Sequence, residues 1–402
     1  MREMESFIDD LPALAPVIAH EATEEGWRGL VANGDVLNIA GQNGHKAVPP
    51  DDLLITRDGK AIGRRAVSNE DKINISEYLL HHDRGVGLFR ANDCHQALAE
   101  FEAAIAIADT ARARFNMGLV LLTLGRWHEG ITHHEARLEL MKPWSCEAIE
   151  QQGVPMWDGK DINGKRLLLV HDAGFGDTIM MLRLVRRLKG FGTDVAIMVP
   201  HELRRVAEQF APIAENGVGF DYYAPMLSLF FLMLETPETI PNAGYLKTDP
   251  VLVQKWRNWL GKTRRRIGVA WSVRKDVLGD YPRAMPLELL EVMTGDADVY
   301  SIQTQAADEA AMLGIATPHF EDFADCAAFV SLMDEIITVD TAAAHIAGAI
   351  GHPRTTVLLS HWHSWRWRLP LYPQFKFYVQ QAPGDWPSAI EQWKQDQNRI
   401  SR

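Results

Sequence analysis

One stretch restricts the fold of this chain more than any other: residues 166–188, which read RLLLVHDAGFGDTIMMLRLVRRL. A short apolar run ends in a turn that holds Gly174, Gly176 and Asp177, and apolar residues at helical spacing follow from Thr178. Strand, glycine turn and helix form the unit with which α/β domains present backbone N–H groups and a helix N-terminus to an anion. The Asp177 carboxylate has two interpretations, since it caps the helix and also lies where a substrate would bind.

The alternation of strand and helix continues to the end of the chain. Strands are predicted at 166–170, 195–199, 266–271, 299–302, 335–339 and 355–359, with helical patterns between them. Strands spaced in this way predict parallel sheets with right-handed crossovers. A break near residues 260–263 divides the series into two halves of similar size. We therefore expect an α/β protein with two doubly wound lobes that face each other across a cleft.

A helical repeat precedes this region. Between residues 74 and 142, an offset of 33 places Gly85 on Gly118 and Leu88 on Leu121. Two helix–turn–helix units with this period resemble tetratricopeptide repeats, and a plain helical hairpin is the alternative. Two units are fewer than the roughly three needed for an independent fold, so they are expected to brace a neighbour or to bind a protein partner.

These patterns predict five divisions of the chain. They are an N-terminal segment of unclear structure at 1–73, the repeat-like helices at 74–145, a first Rossmann-like (acceptor) domain at 146–261, a second Rossmann-like (nucleotide-sugar) domain at 262–383, and a C-terminal helix that crosses back at 384–402. The sugar and acceptor assignments depend on the resemblance described below.

Composition excludes several classes of protein. A net charge of −12 argues against a dedicated nucleic-acid binder, since no general basic field is present to displace counterions. The cysteines Cys94, Cys146 and Cys326 are far apart and form no CxxC pair, which favours a reducing compartment. The first residues lack a signal-peptide pattern, and the longest apolar run, 226–234, is too short to cross a bilayer. We expect a cytoplasmic protein without a membrane span.

A second strand–helix junction lies at ITVDTAAAH, residues 337–345. Asp340 or Thr341 can cap the helix, and the N–H groups of 341–344 point toward the carboxyl end of the sheet. A diphosphate there would be stabilised by those N–H groups and by the helix dipole, and the alanines, Ala342 first, leave room for it. His345 lies one turn into the helix, where it either contacts the ligand or packs against the sheet.

Three further positions are expected at the same cleft. Trp271 and Ser272 end one predicted strand, and Gln303 ends the next. Arg283 lies in the loop between those strands and is a candidate phosphate ligand, because a guanidinium stays charged and bonds bidentately. No metal ion is expected: the only Asp-x-Asp match, at 296–298, comes before a strand and is interpreted as a turn.

In combination, these motifs resemble one bacterial group. They occur in its order: WDGKDINGKRLLLVHDAGFGDTIMMLR, MLSLFFLMLETPETIPNAGYL, IGVAWS, SIQTQ, ITVDTAAAHIAGAIGHP, HSWRWR, LYP and GDW. The chain resembles bacterial tetratricopeptide-repeat proteins with a glycosyltransferase-like carboxyl region. That region is similar to the heptosyltransferase family and, more distantly, to O-GlcNAc transferase, over about residues 75–390.

The resemblance implies a GT-B fold and a metal-independent, inverting sugar transfer. Asp177 corresponds to the proposed base of the heptosyltransferases, and Arg183 on the same helix is expected on the acceptor side. The donor, a nucleoside-diphosphate sugar, acts as co-substrate, and no other cofactor is expected. The residues that match the family's donor-binding segments are Arg283, Gln303, Asp340, Thr341 and His345.

Two departures from the family pattern concern the donor. Asp172 and Ala173 stand where Glu-Gln is usual, and Val273 and Arg274 follow Trp271-Ser272 where Gly-Asn is usual. The acceptor is expected to be a protein or a glycan. A hydroxylated base in modified DNA is a less favoured acceptor, suggested by the aromatic and basic run at 361–368. The rival interpretation is a non-catalytic scaffold that binds nucleotide and recruits a protein through its helical repeats.

Overall fold

The computed structural model describes residues 17–23, 26–31, 36–40, 52–57, 60–66, 69–140, 143–241, 243–261, 264–273, 283–304 and 307–400. The chain divides into two compact units, residues 1–142 and 143–402.

The first unit begins with five strands in the segment to which the sequence assigned no structure. Strands β1 to β3 form an antiparallel sheet in that order, and β4 and β5 form an antiparallel hairpin. Their bounds are β1 Val17–Thr23, β2 Gly26–Val31, β3 Val36–Ala40, β4 Asp52–Arg57 and β5 Lys60–Ala66.

Helices follow in the same unit. Their bounds are α1 Asn69–Arg90, α2 Cys94–Ile107, α3 Ala111–Thr123, α4 Trp127–His134 and α5 Arg137–Leu140. The breaks within the two predicted repeats hold residues of positive φ at equivalent positions, Asn92 at 63° and Gly125 at 77°. Asparagine and glycine are the residues that adopt this conformation most easily, so the sequence ends both helices in the same way.

The two helical pairs also pack in the same way. A Cβ atom at Gly85 would lie 2.9 Å from the ring of Phe101, and one at Gly118 would lie 2.6 Å from the backbone N of His134. The two contacts are related by the repeat offset, since Gly85 lies 33 residues before Gly118 and Phe101 lies 33 residues before His134. Glycine thus brings the helices of each pair into close contact, and the helices fit the tetratricopeptide-like segment predicted from the repeat.

The second unit alternates strand and helix. Its strands are β6 Arg166–Val170, β7 Asp194–Met198, β8 Tyr222–Pro225, β9 Arg266–Ala270, β10 Asp298–Ser301, β11 Glu335–Val339, β12 Thr355–Leu359 and β13 Lys376–Val379. Its helices are α6 Trp144–Glu150, α7 Phe175–Lys189, α8 Arg204–Ala207, α9 Leu229–Leu232, α10 Pro250–Leu260, α11 Glu291–Thr294, α12 Ala307–Met312, α13 Phe323–Val330, α14 Ala342–Ala349 and α15 Trp386–Ile400. Its 3₁₀ turns are His201–Leu203, Met226–Ser228, Leu287–Leu290 and Trp365–Arg368.

Two parallel sheets organise this unit. The first lobe is built on the order β7-β6-β8, and single parallel bridges at Ile213 and Met156 extend its two edges. The second lobe is built on the order β10-β9-β11-β12-β13, all parallel. The central strands β6, β9, β11 and β12 are buried on both faces, as is typical of parallel sheets. The predicted α/β fold of two doubly wound lobes, the GT-B arrangement, is confirmed.

Strand order places a ligand crevice in each lobe. In both sheets the first strand of the lobe lies between the second and the third, so the direction of winding changes there. Open α/β sheets bind ligands at this change, outside the carboxyl ends of the strands. In the second lobe the crevice therefore lies between the carboxyl ends of β9 and β11. Trp271 and Asp340 are the residues that directly follow these two strands.

The last helix, α15, packs on the second lobe. Trp386, Ala389 and Ile390 are buried in the same apolar cluster as Val269 of β9 and Val339 of β11. The indole N–H of Trp386 also donates to the carbonyl oxygen of Ala284. These contacts fix the start of the helix, and its predicted crossing to the first lobe stays a prediction. None of the helices in the described part of the chain is long and apolar enough to cross a membrane.

Candidate functional site

Two helix N-termini, one from each lobe, meet in the second unit. Helix α7 begins at Phe175, α14 begins at Ala342, and the two helices pack against each other. A Cβ atom at Gly176 would lie 2.7 Å from Cδ2 of His345 and 3.5 Å from Cα of Ala342. Only glycine permits this approach without displacing the imidazole. We call this place, formed by Gly176, Asp177, Ala342, His345 and Arg366, the inter-lobe junction.

Asp177 supports the start of its helix, as one of its two interpretations predicts, and its place beside a substrate stays a prediction. Its Oδ2 accepts a hydrogen bond from the backbone N–H of Gly174 at 3.2 Å, which caps α7. Its Oδ1 accepts from Nε of Arg366, in the second lobe, at 2.5 Å. The Asp177 and Arg366 side chains are 18% and 19% exposed, so the ion pair is largely shielded from water. The carboxylate thus lies at the inter-lobe junction and already has a cationic partner.

Arg366 was not singled out from the sequence. It lies in the 3₁₀ turn Trp365–Arg368, where Nη1 donates to Oγ of Ser364 at 3.1 Å and the guanidinium lies over the Trp365 ring. The sequence signal that includes Arg366 is the run HSWRWR, which the sequence analysis interprets as a possible stacking surface for nucleic acid. Trp365 and Trp367 are only 3% and 6% exposed, and they pack on Phe230 and His345. These two tryptophans are core residues and offer no stacking surface to a strand.

His345 is almost completely buried, at 3% exposed. Its ring stacks on Trp367 with centroids 4.8 Å apart, and its Nδ1 lies 2.9 Å from the Tyr372 hydroxyl. Burial lowers the pKa of His345 to about 3, and the neighbouring Asp177 carboxylate opposes this only in part. The imidazole is therefore neutral at physiological pH.

Arg183, expected on the acceptor side, is buried between the lobes. Its Nη1 donates to the carbonyl oxygens of Pro241 at 2.8 Å and Leu371 at 3.2 Å. The guanidinium lies 4.8 Å from the ring centroids of both Tyr245 and Tyr372. These contacts direct the Arg183 donors to protein groups, so the side chain links helix α7 to the second lobe instead of facing an open acceptor site.

The start of α14 carries the positions predicted for a diphosphate. Thr341 is the N-cap residue, but its hydroxyl lies 3.1 Å from that of Thr338 and makes no capping hydrogen bond. Arg283 Nη1 lies 3.6 Å from Oδ2 of Asp340 and donates to its carbonyl oxygen at 3.4 Å. The structure therefore brings Arg283, Asp340, Thr341 and Ala342 together at one helix N-terminus, where no side chain of a described residue caps the helix.

Gln303 organises the end of β9. Its Oε1 accepts from the backbone N–H groups of Trp271 at 2.8 Å and Ser272 at 3.0 Å, and it is 6% exposed. The Trp271 indole N–H donates to Glu309. Gln303, Trp271 and Ser272 thus lie together at the carboxyl end of the sheet, as expected, and Gln303 holds the backbone there.

Two further contacts between the lobes carried no signal in the sequence. Phe175, at the start of α7, packs edge-on against Phe323 of α13. Arg205 of α8 donates to the carboxylate of Asp322, which is 8% exposed. Arg205 also lies 3.6 Å from Glu321, so these ion pairs across the lobes have the opposite sense to the Asp177–Arg366 pair. Within the part of the chain that the structure describes, no group of three or more His, Cys, Asp or Glu side chains is arranged to hold a metal ion.

Comparisons with known proteins give three results. No protein-family model matches the chain. Protein FlbA of Caulobacter vibrioides (strain ATCC 19089 / CIP 103742 / CB 15) is 26% identical over 358 residues, which is 76% of this chain and 59% of FlbA. The chain therefore spans about three fifths of the length of the curated relative that it matches.

The third result concerns solved structures. Glycosyl transferase family 9 from Veillonella parvula DSM 2008 matches with 10% identity and a TM-score of 0.43 over 58% of this chain and 97% of its own. ADP-heptose lps heptosyltransferase II of E. coli matches with 14% identity and a TM-score of 0.41, over 56% and 94%. A mutant of Thermobaculum terrenum O-GlcNAc transferase matches with 14% identity and a TM-score of 0.27, over 79% and 83%. These are the two groups that the motifs resemble.

Proposed function

We propose that the second unit is a glycosyltransferase that moves a sugar from a nucleoside-diphosphate sugar to an acceptor hydroxyl. One observation carries the proposal: Gly176, the residue before Asp177 in the first lobe, approaches the start of helix α14 of the second lobe so closely that a Cβ atom there would lie 3.5 Å from Cα of Ala342, and the N-cap residue of α14 makes no side-chain capping hydrogen bond. The carboxylate is the base and the helix N-terminus holds the leaving diphosphate.

The start of α14 is suited to a diphosphate for three reasons. Its first N–H groups lie at the carboxyl ends of the strands, at the change of winding where α/β sheets bind ligands. No side chain of a described residue caps them, so an anion finds donors together with the positive end of the helix dipole. Arg283 lies alongside and supplies a permanent charge. Stabilisation of the leaving group by these fixed donors supplies a large part of the rate enhancement.

Asp177 is proposed as the base that accepts the proton of the acceptor hydroxyl. A carboxylate has about four lone-pair positions, and among the described residues Gly174 and Arg366 use two of them. The guanidinium orients the carboxylate. General-base assistance of this kind is worth about 10²–10⁴-fold in rate. The proposed reaction inverts the anomeric centre and uses no metal ion.

The acceptor is proposed to be a protein or a glycan. The repeat-like helices of the first unit are proposed to bind a protein partner, as helical repeats commonly do. Modified DNA is less well supported, since Trp365 and Trp367 are buried and the net charge is −12.

A second candidate function is a nucleotide-binding scaffold without transferase activity. The observation that favours it is the Asp177–Arg366 ion pair, in which the proposed base is already paired with a half-buried cation. As a scaffold, the protein would bind nucleotide at the start of α14 and would not transfer a sugar.

The deciding experiment combines binding and turnover. The full chain is screened against uridine, guanosine, adenosine and thymidine diphosphate sugars, with thermal shift for binding and release of nucleoside diphosphate for turnover. Asp177→Asn is expected to bind the same nucleotide sugar with turnover reduced at least 10²-fold. The matched control, Asp158→Asn, changes an exposed carboxylate of the same lobe and should retain full turnover. Binding without any turnover in the natural chain favours the scaffold, and undiminished turnover in Asp177→Asn contradicts the assignment of the base.

A further inference from the structure

The Arg366 side chain keeps hydrogen-bond donors in reserve. A guanidinium carries several N–H donors in a fixed fork. Among the described residues, its Nε donates to Oδ1 of Asp177 at 2.5 Å and its Nη1 donates to Oγ of Ser364 at 3.1 Å. Neither Nη2 nor the second hydrogen of Nη1 has an acceptor among these residues. Because the side chain is 19% exposed, a small ligand can reach these donors.

The ion pair between Arg366 and Asp177 uses one side of the guanidinium. A guanidinium and a carboxylate bind most strongly through two parallel N–H···O bonds. Here Oδ2 of Asp177 accepts from the N–H of Gly174 instead, so a single hydrogen bond joins the two side chains. The guanidinium also lies over the Trp365 ring, 4.8 Å from its centroid, which fixes its plane. The edge formed by the two Nη groups, which we call the Nη edge, is therefore available to a second oxyanion.

The segment that carries Arg366 lies against the start of α14. Trp367, the next residue, stacks on the His345 ring with centroids 4.8 Å apart. Burial lowers the pKa of His363, and the Asp340 carboxylate opposes this in part, so these two groups are close to each other. Asp340 lies just before α14, and His345 lies one turn into it. Arg366 therefore lies between two points at which its own segment meets the first turn of α14.

The first lobe brings Arg366 to the same place. A Cβ atom at Gly176 would lie 3.5 Å from Cα of Ala342, the first residue of α14, and Asp177 follows Gly176 in the chain. Arg366 is bonded to that Asp177. The N-cap residue of α14 makes no side-chain capping hydrogen bond, so its first N–H groups are suited to an anion. The guanidinium is thus beside both the proposed base and the proposed diphosphate position.

We propose that Arg366 is a cation shared by the base and the leaving group: its Nε holds Asp177, and its Nη edge binds an oxygen of the donor's diphosphate at the start of α14. The proposal rests on the proposed function. It adds Arg366 to Arg283 as a binding residue for the diphosphate. The ion pair with Asp177 is then a working part of the site, in which the same side chain orients the base and holds the donor.

A shared cation suits the transfer because negative charge moves from one of its partners to the other. The acceptor hydroxyl gives its proton to Asp177, and its oxygen forms the bond to the anomeric carbon. The bond from that carbon to the diphosphate oxygen breaks, and its electron pair stays on the diphosphate. Asp177 loses its negative charge as the diphosphate gains one, so Arg366 faces an anion throughout without moving. A fixed charge of this kind stabilises the transition state.

Binding of nucleoside diphosphates to the full chain tests the Nη edge. Uridine, guanosine, adenosine and thymidine diphosphates and their nucleosides are titrated by nuclear magnetic resonance, which also measures weak affinities. For the diphosphate that the natural chain binds, Arg366→Gln should weaken binding about 10–100-fold and leave the matching nucleoside unchanged. Arg368→Gln is the control, since Arg368 is an exposed arginine of the same 3₁₀ turn, and it should bind as the natural chain does. Unchanged binding of the diphosphate by Arg366→Gln overturns the proposal, and so does equal weakening of diphosphate and nucleoside.

Arg366→Lys separates binding from turnover. An ammonium keeps the charge but lacks the planar fork that holds two partners at once. We expect this variant to bind the diphosphate within about threefold of the natural chain, while kcat for sugar transfer falls more than about tenfold. A residue that only stabilises the contact between the lobes does not produce this difference between binding and kcat. Full recovery of kcat by Arg366→Lys contradicts a shared guanidinium.

A measurement on the natural chain serves if Arg366→Gln fails to fold or if no turnover is found. With ¹⁵N-labelled arginine, the Nε signal that moves in Asp177→Asn identifies Arg366. The bound nucleoside diphosphate should shift the Nη signals of that arginine, and unmoved Nη signals overturn the proposal. If none of the four diphosphates binds the natural chain, the proposed function fails and the shared cation fails with it. If one binds and Arg366 takes no part, only the shared cation fails.

Discussion

The Oδ1 atom of Asp177 accepts a hydrogen bond from Nε of Arg366 at 2.5 Å, across the two lobes of the second unit. The first residue lies in the first turn of helix α7 in the first lobe, and the second lies in a turn after the fourth strand of the second lobe, 189 positions later. The same carboxylate caps its own helix through Gly174. One side chain therefore connects local helix stability, contact between the lobes and the proposed chemistry.

The first prediction concerns the energy of this ion pair. Because both side chains are less than a fifth exposed, removal of one charge leaves the other without its partner in a poorly hydrated place. Asp177→Asn and Arg366→Gln should each lower the free energy of unfolding, and the double variant should lose less than their sum, with a coupling of about 1–3 kcal/mol. Urea unfolding of the four proteins measures it. Strictly additive losses would show that the pair contributes nothing.

The second prediction concerns the close approach at Gly176. A methyl group there would meet Cδ2 of His345 at 2.7 Å, and the imidazole cannot turn away because Trp367 and Tyr372 hold it. Gly176→Ala should therefore separate the starts of α7 and α14, with a loss of about 1–3 kcal/mol from overpacking. Hydrogen exchange of the α14 amides measures the separation. Unchanged protection of α14 in this variant would contradict the contact.

The third prediction is a pH dependence of stability. The pKa of His345 is lowered to about 3 in the folded chain, against about 6.5 when unfolded, so between these values only the unfolded chain binds the proton. The contribution of His345 is complete above pH 6.5 and is lost as the pH falls from 6.5 toward 3, by about 1.4 kcal/mol per pH unit. Burial also lowers the pKa of His171, His352 and His363, which contribute in the same direction.

His345→Gln isolates this contribution. Its stability between pH 7.5 and 5 should vary less steeply than that of the natural chain, by the slope of one proton. The matched control is His128→Gln, which changes an exposed histidine of the first unit and should leave the slope unchanged. Equal slopes for the natural chain and His345→Gln would mean that His345 titrates normally in the fold.

The fourth prediction concerns Arg183. Its guanidinium satisfies the carbonyl oxygens of Pro241 and Leu371, so Arg183→Met leaves both without their donor while keeping most of the side-chain volume. We expect a loss of about 2–4 kcal/mol in the free energy of unfolding. Arg186→Met is the control, since Arg186 is exposed on the same helix over the Phe210 ring and should cost less than about 1 kcal/mol. Similar losses in the two variants would contradict the linking role of Arg183.

Much of the fold of the second unit could be predicted from the sequence. The six predicted strands agree with the structure to within one residue at either end, because buried parallel strands are short apolar runs that glycine and polar residues interrupt. The missing strands, β8 and β13, have only four residues each, which is too short to show a clear hydrophobic period. In the first unit, strands β1 to β5 fell in the segment to which no structure was assigned.

Some residues of the candidate site could be predicted from the sequence, and others could not. Positions within one strand–turn–helix unit, such as Asp177 and Thr341, follow from local pattern, because the carboxyl ends of parallel strands share one edge of the sheet. Arg366, Tyr372 and Tyr245 reach the junction through packing between distant elements, for which a single sequence carries no signal. The prediction that Arg183 lies on the acceptor side was based only on its position in helix α7. The orientation of its side chain is set by Tyr245 and Tyr372, which lie 62 and 189 positions further along the chain.

The last prediction concerns the helical repeat of the first unit. Substitution of two of its glycines by alanine should change stability in opposite directions. A Cβ atom at Gly118 would lie 2.6 Å from the backbone N of His134, whereas one at Gly87 would meet nothing within 4 Å. Backbone cannot move aside as a side chain can, so Gly118→Ala should push α3 away from α4 and destabilise the unit by about 2–4 kcal/mol. Gly87→Ala removes flexibility from the unfolded chain and should stabilise α1 by about 0.4–1 kcal/mol.

Thermal unfolding followed by circular dichroism, with hydrogen exchange to assign the change to the helices, separates the two variants. The opposite signs matter, because both substitutions replace glycine by the best helix former and helix propensity alone predicts stabilisation in each. A stabilising Gly118→Ala would show that α3 and α4 are further apart than the repeat requires. Destabilisation by Gly118→Ala together with stabilisation by Gly87→Ala would instead show that the close approach of α3 and α4 at Gly118 is a packing constraint.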